Sequence, residues 1–437
     1  LGTITQNLTV ELTFWPTLVL IVFIILILPA SAEPVLKDDD FVVQKFVSNI
    51  CCSPTTMAFE GKDILILQKS DGQVRLIRDR VLQEKPVLDE NVNEEGEQGM
   101  LGITTVGKKV YLYFTESTHD GGSTLGKRVY SYDWNGQELV NKTLIKDLPQ
   151  TQTYHNGGAM ATGLNGSVYL IVGDAGRYGK LQNHPEGEPD DTSVILRIEP
   201  PGPYYAIGIR NSFGLAVDPV TGELWDTENG PDDFDEINIV QQNFNSGWDV
   251  TMGPANETQL AKLPVYPSYV YHDPQLSWEK PVVPTGLTFI NSEPFEKYKN
   301  SLFVVDCLNG NLYRFELNQN RDGFVFNSTH LADNVVNIGE SIDEIIFGTG
   351  FGCATDIEAG PDGLLYIVSL SDGAIYRIIP KSMLSYDFLS VNSAYIWYLT
   401  YVIIAVVVIS FVIYMKKRFK KNRNITSLGS FLLLSIP

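Results

Sequence analysis

The chain has 437 residues, with 52 acidic against 32 basic side chains and a formal net charge of −20. A surface of that sign repels nucleic-acid phosphates and anionic lipid headgroups, which excludes a nucleic-acid partner. Aromatic residues make up 11% and β-branched residues are plentiful, with no long amphipathic helical stretch, so the expectation is an all-β domain around one large core.

In chain order, the first feature is an apolar run from Phe14 to Pro29 that ends at Ala30-Ser31-Ala32. The small residues suit signal-peptidase cleavage, and the run is short for a membrane span. Residues 1–32 are therefore expected to be a signal peptide, although neither a basic n-region nor an initiating Met precedes the run.

One phrase then repeats six times. Its first copy is Met57-Ala-Phe, Ile64-Leu-Ile-Leu and Gln73-Val-Arg-Leu-Ile, three short apolar strands joined by turns. Further copies begin at Leu101, Met160, Leu215, Leu287 and Ile357. A unit of roughly 45–70 residues made only of strands marks a propeller blade. One such sheet cannot bury both faces alone, so the blades pack around a channel. Residues 33–381 are expected to form one six-bladed β-propeller.

After a linker at 382–394, Tyr395 to Met415 is a stretch of 21 residues without a charge. Lys416, Lys417, Arg418, Lys420, Lys421 and Arg423 follow. Length and basic flank predict a transmembrane helix at 395–415, a cytoplasmic tail at 416–437 and a propeller outside the cell. The tail holds six basic and no acidic residues, leaving 26 basic against 52 acidic upstream.

Four cysteines, Cys51, Cys52, Cys307 and Cys353, would lie in an oxidising compartment and allow three full pairings. A ring sets the first and last blades side by side, which predicts a bridge from Cys51 or Cys52 to Cys353, with Cys307 as the competing partner. Sequons at Asn141, Asn165, Asn256 and Asn327 would place glycans on the exterior domain.

Aligning the repeats places the residues before each first strand in a ring at one channel mouth. In order these are Thr55-Thr56, Glu97-Gln98, His155-Asn156, Arg210-Asn211, Pro284-Thr285 and Cys353 to Thr355. Polar groups that converge in a concave place are a candidate active site, against the plainer reading of a polar, water-filled channel. His155 is the natural general base, and Arg210 suits a developing oxyanion or a carboxylate. Glu97 is the one carboxylate in the ring. A second cluster, Gly230-Pro-Asp-Asp-Phe-Asp-Glu236, offers carboxylates and turn carbonyls of the kind calcium prefers, or else an acidic surface loop.

Several motifs carry a resemblance. They are Glu97-Gln-Gly-Met-Leu-Gly, His155-Asn-Gly-Gly with Val172-Gly-Asp174, Tyr205-Ala-Ile-Gly-Ile-Arg-Asn-Ser-Phe-Gly-Leu, Glu228-Asn-Gly-Pro, Asp235-Glu-Ile-Asn and Gly247-Trp. Over about Pro54 to Pro380 the chain resembles the glucose/sorbosone dehydrogenase family, the soluble aldose sugar dehydrogenases. These are six-bladed propellers that use pyrroloquinoline quinone (PQQ) and calcium. The resemblance implies that His155 is the catalytic base, that Asp174 supports it, and that Arg210 and Asn211 contact the quinone. Glu97 and Gln98 join the cofactor-binding candidates. Gly230 and Pro231 would hold a catalytic calcium through backbone carbonyls, and Glu236 would hold a second, structural one. The family's basic anchors for the quinone carboxylates are absent, since Cys353, Thr355 and Asn309 stand where they are expected.

The resulting expectation is a membrane-anchored extracellular propeller that oxidises a sugar or related alcohol with a quinone cofactor. The first rival is a non-catalytic surface propeller that binds glycans or proteins. The second, a calcium-dependent hydrolase, ranks lower because it calls for several carboxylates in the channel.

Overall fold

The computed structural model describes residues 33–149, 152–176, 183–184, 189–384, 400–416 and 418. The chain divides into two units, Leu1–Ile379 and Pro380–Pro437. In the first, the strands form six sheets. Their inner strands are Pro54–Glu60, Met100–Val106, Met160–Thr162, Gly214–Val217, Pro284–Phe289 and Ala354–Ala359. Each touches the next, and the sixth touches the first, so the inner strands close a ring. The fold is an all-β propeller with one sheet for each sequence repeat.

The apolar strands carry two buried faces because each sheet is covered on both sides. In the second sheet, Leu112 and Phe114 pack into a cluster with Leu65, Leu67 and Leu76 of the first sheet. The alternate residues Tyr111 and Tyr113 point the other way, onto Val168, Leu170 and Val194 of the third. Successive strand side chains point to opposite faces, so an unbroken run such as Val168–Val172 supplies both interfaces. Burying each such side chain contributes about 1.5–3 kcal/mol.

Closure of the ring differs from the expected bridge. The outer strand of the sixth sheet is Phe41–Val47, from the start of the domain, placed beside Ala374–Pro380. Val35–Leu36 likewise pairs with Ile346–Thr349 in the fifth sheet. Strand pairing joins the two ends of the domain. Cys353 bonds instead to Cys307, across the fifth and sixth sheets, and Cys51 and Cys52 are free. Cys307 follows the second strand of the fifth sheet, Ser301–Asp306, and so reaches the same mouth as Cys353. The predicted partners are tied elsewhere: Cys52 accepts from Ser70 N at 3.2 Å, and Cys51 accepts from the buried Gln68.

In the second unit, residues 400–416 are helical, with exposed apolar side chains. Among the described residues no helix is long and apolar enough to cross a membrane. The expected span at 395–415 begins outside the described residues. The expected leader at 1–32 and most of the linker and basic tail also lie outside them.

Candidate active site

The site is assembled where the third and fourth sheets meet the channel mouth. Gly173 lets it close up: a Cβ there would stand 2.5 Å from the His155 carbonyl and 2.7 Å from that of Arg210. With no side chain in the way, Asp174 N donates to Arg210 O at 2.8 Å and Ala175 N to His155 O at 3.0 Å. Two loops distant in sequence are thereby fixed on either side of one carboxylate.

That carboxylate is Asp174, 1% exposed. Its Oδ1 lies 2.7 Å from Nδ1 of His155 and accepts from Gly176 N at 2.9 Å. Its Oδ2 accepts from Trp248 Nε1 at 2.7 Å. Burial opposes ionisation, but His155, Trp248 and Gly176 outweigh it and hold the carboxyl below its ordinary value. An ionised Asp174 keeps the proton on Nδ1 and leaves Nε2 of His155 as the acceptor. The His155 backbone is left-handed at φ 55°, a conformation that a non-glycine residue holds only when its surroundings fix it. Here Glu97 Oε2 does so, accepting from His155 N at 2.7 Å, Asn156 N at 3.4 Å and Asn211 Nδ2 at 3.2 Å.

Arg210 packs over the Trp248 ring, 5.3 Å from its centroid. Its Nη1 donates to Asn229 O at 2.7 Å, and its backbone N donates to Glu228 at 2.7 Å. Burial lowers its pKa, opposed by Asp174, Glu228 and Glu97. Asn211 is buried and bridges Glu97 to Gly157 N, at 3.3 Å. Hydrogen bonds thus join His155, Asp174, Arg210, Asn211 and Glu97 into one network. Gln98 is buried beside Glu97.

Next to this network the channel opens into a cavity of about 310 Å³, whose wall includes Lys69, Glu97, Thr355, Asp356, Glu358 and both cysteines of the Cys307–Cys353 bridge. Lys69 is the one basic residue on that wall among the described residues. Asp356 and Glu358 add two carboxyls that the ring alignment left out, so Glu97 is not the only channel acid. Asp356 accepts from Thr56 Oγ1 at 2.9 Å and Met57 N at 2.8 Å. Burial still pushes it up to about 6. Glu358 also lines a second cavity of about 340 Å³ further along the channel, and burial, then Asp356, push it well above its ordinary value.

The acidic run after Gly230 does not converge on one point. Asp232 and Asp233 are exposed. Asp235 is occupied by Gly230 N at 2.9 Å and by Val282 N and Val283 N at 2.7 Å each. Glu236 lies on the opposite face of the strand Asp235–Val240, buried, where Asn238 Nδ2 donates to it at 3.2 Å and Gly253 N also donates. Cross-strand register sets Glu228 opposite Glu236 and Asp226 opposite Asn238. Both Asp226 carboxylate oxygens and Asn238 Oδ1 are buried without a hydrogen-bond partner. Burial and Glu228 push Asp226 and Glu236 well above their ordinary values, and burial pushes Glu228 up to about 7.

Residues 52–377 match the family model described as Glucose / Sorbosone dehydrogenase. The chain belongs to the glucose/sorbosone dehydrogenase family. Among curated relatives of this family member, aldose sugar dehydrogenase YliI of Escherichia coli K12 is 25% identical over 314 residues, 66% of this chain and 78% of the relative. Quinoprotein glucose dehydrogenase B of Acinetobacter calcoaceticus is 24% identical, over 52% of this chain and 56% of the relative. The PQQ-bound aldose sugar dehydrogenase of Streptomyces coelicolor shares the fold, with a TM-score of 0.59 at 20% identity, covering 79% of this chain and 99% of that one. Within the family frame, Trp248 and Lys69 are the site residues that sequence reasoning passed over. The Gly247-Trp motif marked the first, and nothing marked the second, which follows the second strand of its sheet.

Proposed function

We propose that the chain is an oxidoreductase that oxidises a sugar or related alcohol at the mouth of the channel. The His155–Asp174 pair carries this reading. Oxidising a carbinol removes a hydroxyl proton and a hydride; Nε2 of His155 is oriented to take the proton, and the hydride would pass to a two-electron acceptor of the quinone class. Asp174 stabilises the imidazolium, while Trp248 and Gly176 keep Asp174 ionised. Arg210 sits where it can face an oxyanion. The sugar class follows from what the relatives are named for.

PQQ carries three carboxylates, and among the described residues the donor set does not fit them. The cavity wall offers Lys69 against Glu97, Asp356 and Glu358, and a disulfide and Thr355 stand in place of the anchors. No step is therefore routed through that cofactor. This same feature favours one rival, a non-catalytic propeller that binds ligands at the mouth. Dye-linked sugar oxidation by the full chain, with PQQ and calcium supplied, separates the two. Sugar-dependent dye reduction that His155→Gln abolishes supports the enzyme, and none from either form supports the rival.

Calcium fits better. Buried acceptors without donors are what a hard cation satisfies. Glu236, with Asp226 and Asn238, would hold a structural ion, and the Gly230 and Pro231 carbonyls would hold one near the site. For the setting, we propose that segment 395–415 anchors the propeller outside the cell, as its apolar length and basic flank support. Protease added to intact cells should then remove the propeller, whereas cleavage of the tail alone would reverse the orientation.

A further inference from the structure

The two free cysteines are not independent thiols. Their Sγ atoms lie 2.7 Å apart. Carbon atoms in contact settle at about 3.5–4.0 Å and sulfur is larger, so this pair is inside non-bonded contact, while a disulfide bond is about 2.05 Å. Consecutive residues of a strand send their side chains to opposite sides. Here the chain turns instead: Cys52 and Ser53 are both left-handed, at φ 62° and 59°.

The turn is held from several sides. Cys52 O accepts from Ser70 N at 3.2 Å, and Ser53 O accepts from Lys69 N at 3.0 Å. The buried Gln68 donates from Nε2 to Cys51 O at 3.0 Å and to Cys51 Sγ at 3.3 Å. Cys51 is exposed and Cys52 half-buried, so a small reagent reaches the pair. Asp71 completes a group whose ligand atoms all lie within 4.8 Å of one another.

We propose that Cys51 and Cys52 are a vicinal redox pair that closes to a disulfide between adjacent residues at the rim of the channel. The oxidant is a low-molecular-weight disulfide. Cys51 thiolate attacks one of its sulfurs, forming a mixed disulfide and releasing one thiolate. Cys52 thiolate then displaces the second. Two protein thiols are oxidised, one small disulfide is reduced to two thiols, and the protons pass to those thiols. Burial, with Cys51 and Asp71 beside it, pushes the Cys52 thiol well up, so the exposed Cys51 attacks first.

Adjacent residues hold their Cα atoms about 3.8 Å apart across a trans peptide, short of the roughly 4.4–6.8 Å usual for a bridge. Such strained bridges are the readily reduced ones, so this pair opens again under a mild reductant. The state of the pair also bears on the cavity. Thr55, Thr56 and Lys69 on its wall flank or bond the same turn, so closing the bridge stiffens the part of the rim that carries the wall's basic residue.

The test treats the full chain with glutathione disulfide, blocks free thiols with iodoacetamide and maps peptides without reduction. The expected peptide over Cys51-Cys52 carries no alkyl group and is two hydrogens lighter than the dithiol. Brief dilute dithiothreitol should then restore two alkylation sites there. Cys52→Ser should instead trap a stable glutathione adduct on Cys51. Two alkylated cysteines after the oxidant would overturn the proposal. So would a persistent glutathione adduct on the unaltered chain, or thiols that alkylate only once a chelator has removed a metal.

Discussion

The two halves of the channel mouth are built on different plans. On the side of the third and fourth sheets, polar groups find one another: His155 with Asp174, Asp174 with Trp248, Arg210 with Glu228, and Asn211 with Glu97. On the side of the fifth and sixth sheets, a covalent bridge stands in the wall. The turn that could have offered a base is closed on itself, with Asp306 accepting from Asn309 N at 2.6 Å, Gly310 N at 2.8 Å and Tyr313 OH at 2.7 Å. The first half is the one for which we propose proton transfer. The other carries a cross-link and two carboxyls in its wall. The proposed proton-transfer pair and the cross-link thus sit on different sheets.

The largest test of that contrast is His155→Gln. If the first half does the chemistry, sugar-dependent dye reduction should fall by about 10²–10⁴ with the melting temperature unchanged. Equal rates in the two forms would remove the functional distinction between the halves. Next in size is the bridge itself. Replacing Cys307 and Cys353 together with serine frees a loop spanning 46 residues, a loss of about 4 kcal/mol on the chain-entropy account. Denaturant unfolding should show it, and an unchanged midpoint would mean that the bridge does not support the second half.

Stability against pH probes buried acids in both halves, and calcium probes the acid face behind the first. Glu228 is raised to about 7 from 4.5 and Asp356 to about 6 from 3.8. Between each pair of values the folded chain keeps protons that the unfolded chain releases, so metal-free stability falls as pH rises through that window. Asp174, held low, works the other way and loses its contribution as pH falls. The metal-free protein should melt higher near about pH 5 than near about pH 7. Added calcium should lessen the decline, because it binds the ionised carboxylates of Asp226 and Glu236 beside Glu228. A melting curve indifferent to chelation, with no metal by elemental analysis, would leave Asp226 and Glu236 as protonated acids.

The smallest expected effect sharpens the second half. Thr355→Arg leaves the bridge intact and restores one cation. A charge-assisted bond contributes roughly 1.5–3 kcal/mol, so PQQ affinity by calorimetry should rise about ten- to hundredfold. No gain would show that the wall excludes the cofactor by shape as well as by charge.

The sequence made the six repeats legible because each inner trio of strands is a local, apolar pattern. It hid the outer strands, some of which, such as Val81–Leu82 and Ala206–Ile207, are only two residues long. It also hid the closure, because Phe41–Val47 pairs with residues at the far end of the domain. The ring alignment found the His155 and Arg210 loops but not Asp356, since a bulge between Ala354 and Asp356 shifts the register at that point. Asp235 and Glu236 looked like one acidic cluster because sequence proximity does not show that a strand sends them to opposite faces.

The outer strand of the sixth sheet carries a consequence for biosynthesis. Phe41–Val47 emerges from the ribosome early, and its partner Ala374–Pro380 emerges after almost the whole propeller. At about 5–20 residues per second, this apolar strand waits tens of seconds with its backbone donors and acceptors unpaired, an exposed edge of the kind that recruits other chains. The nascent domain is thus most open to pairing with other chains until its last strand arrives.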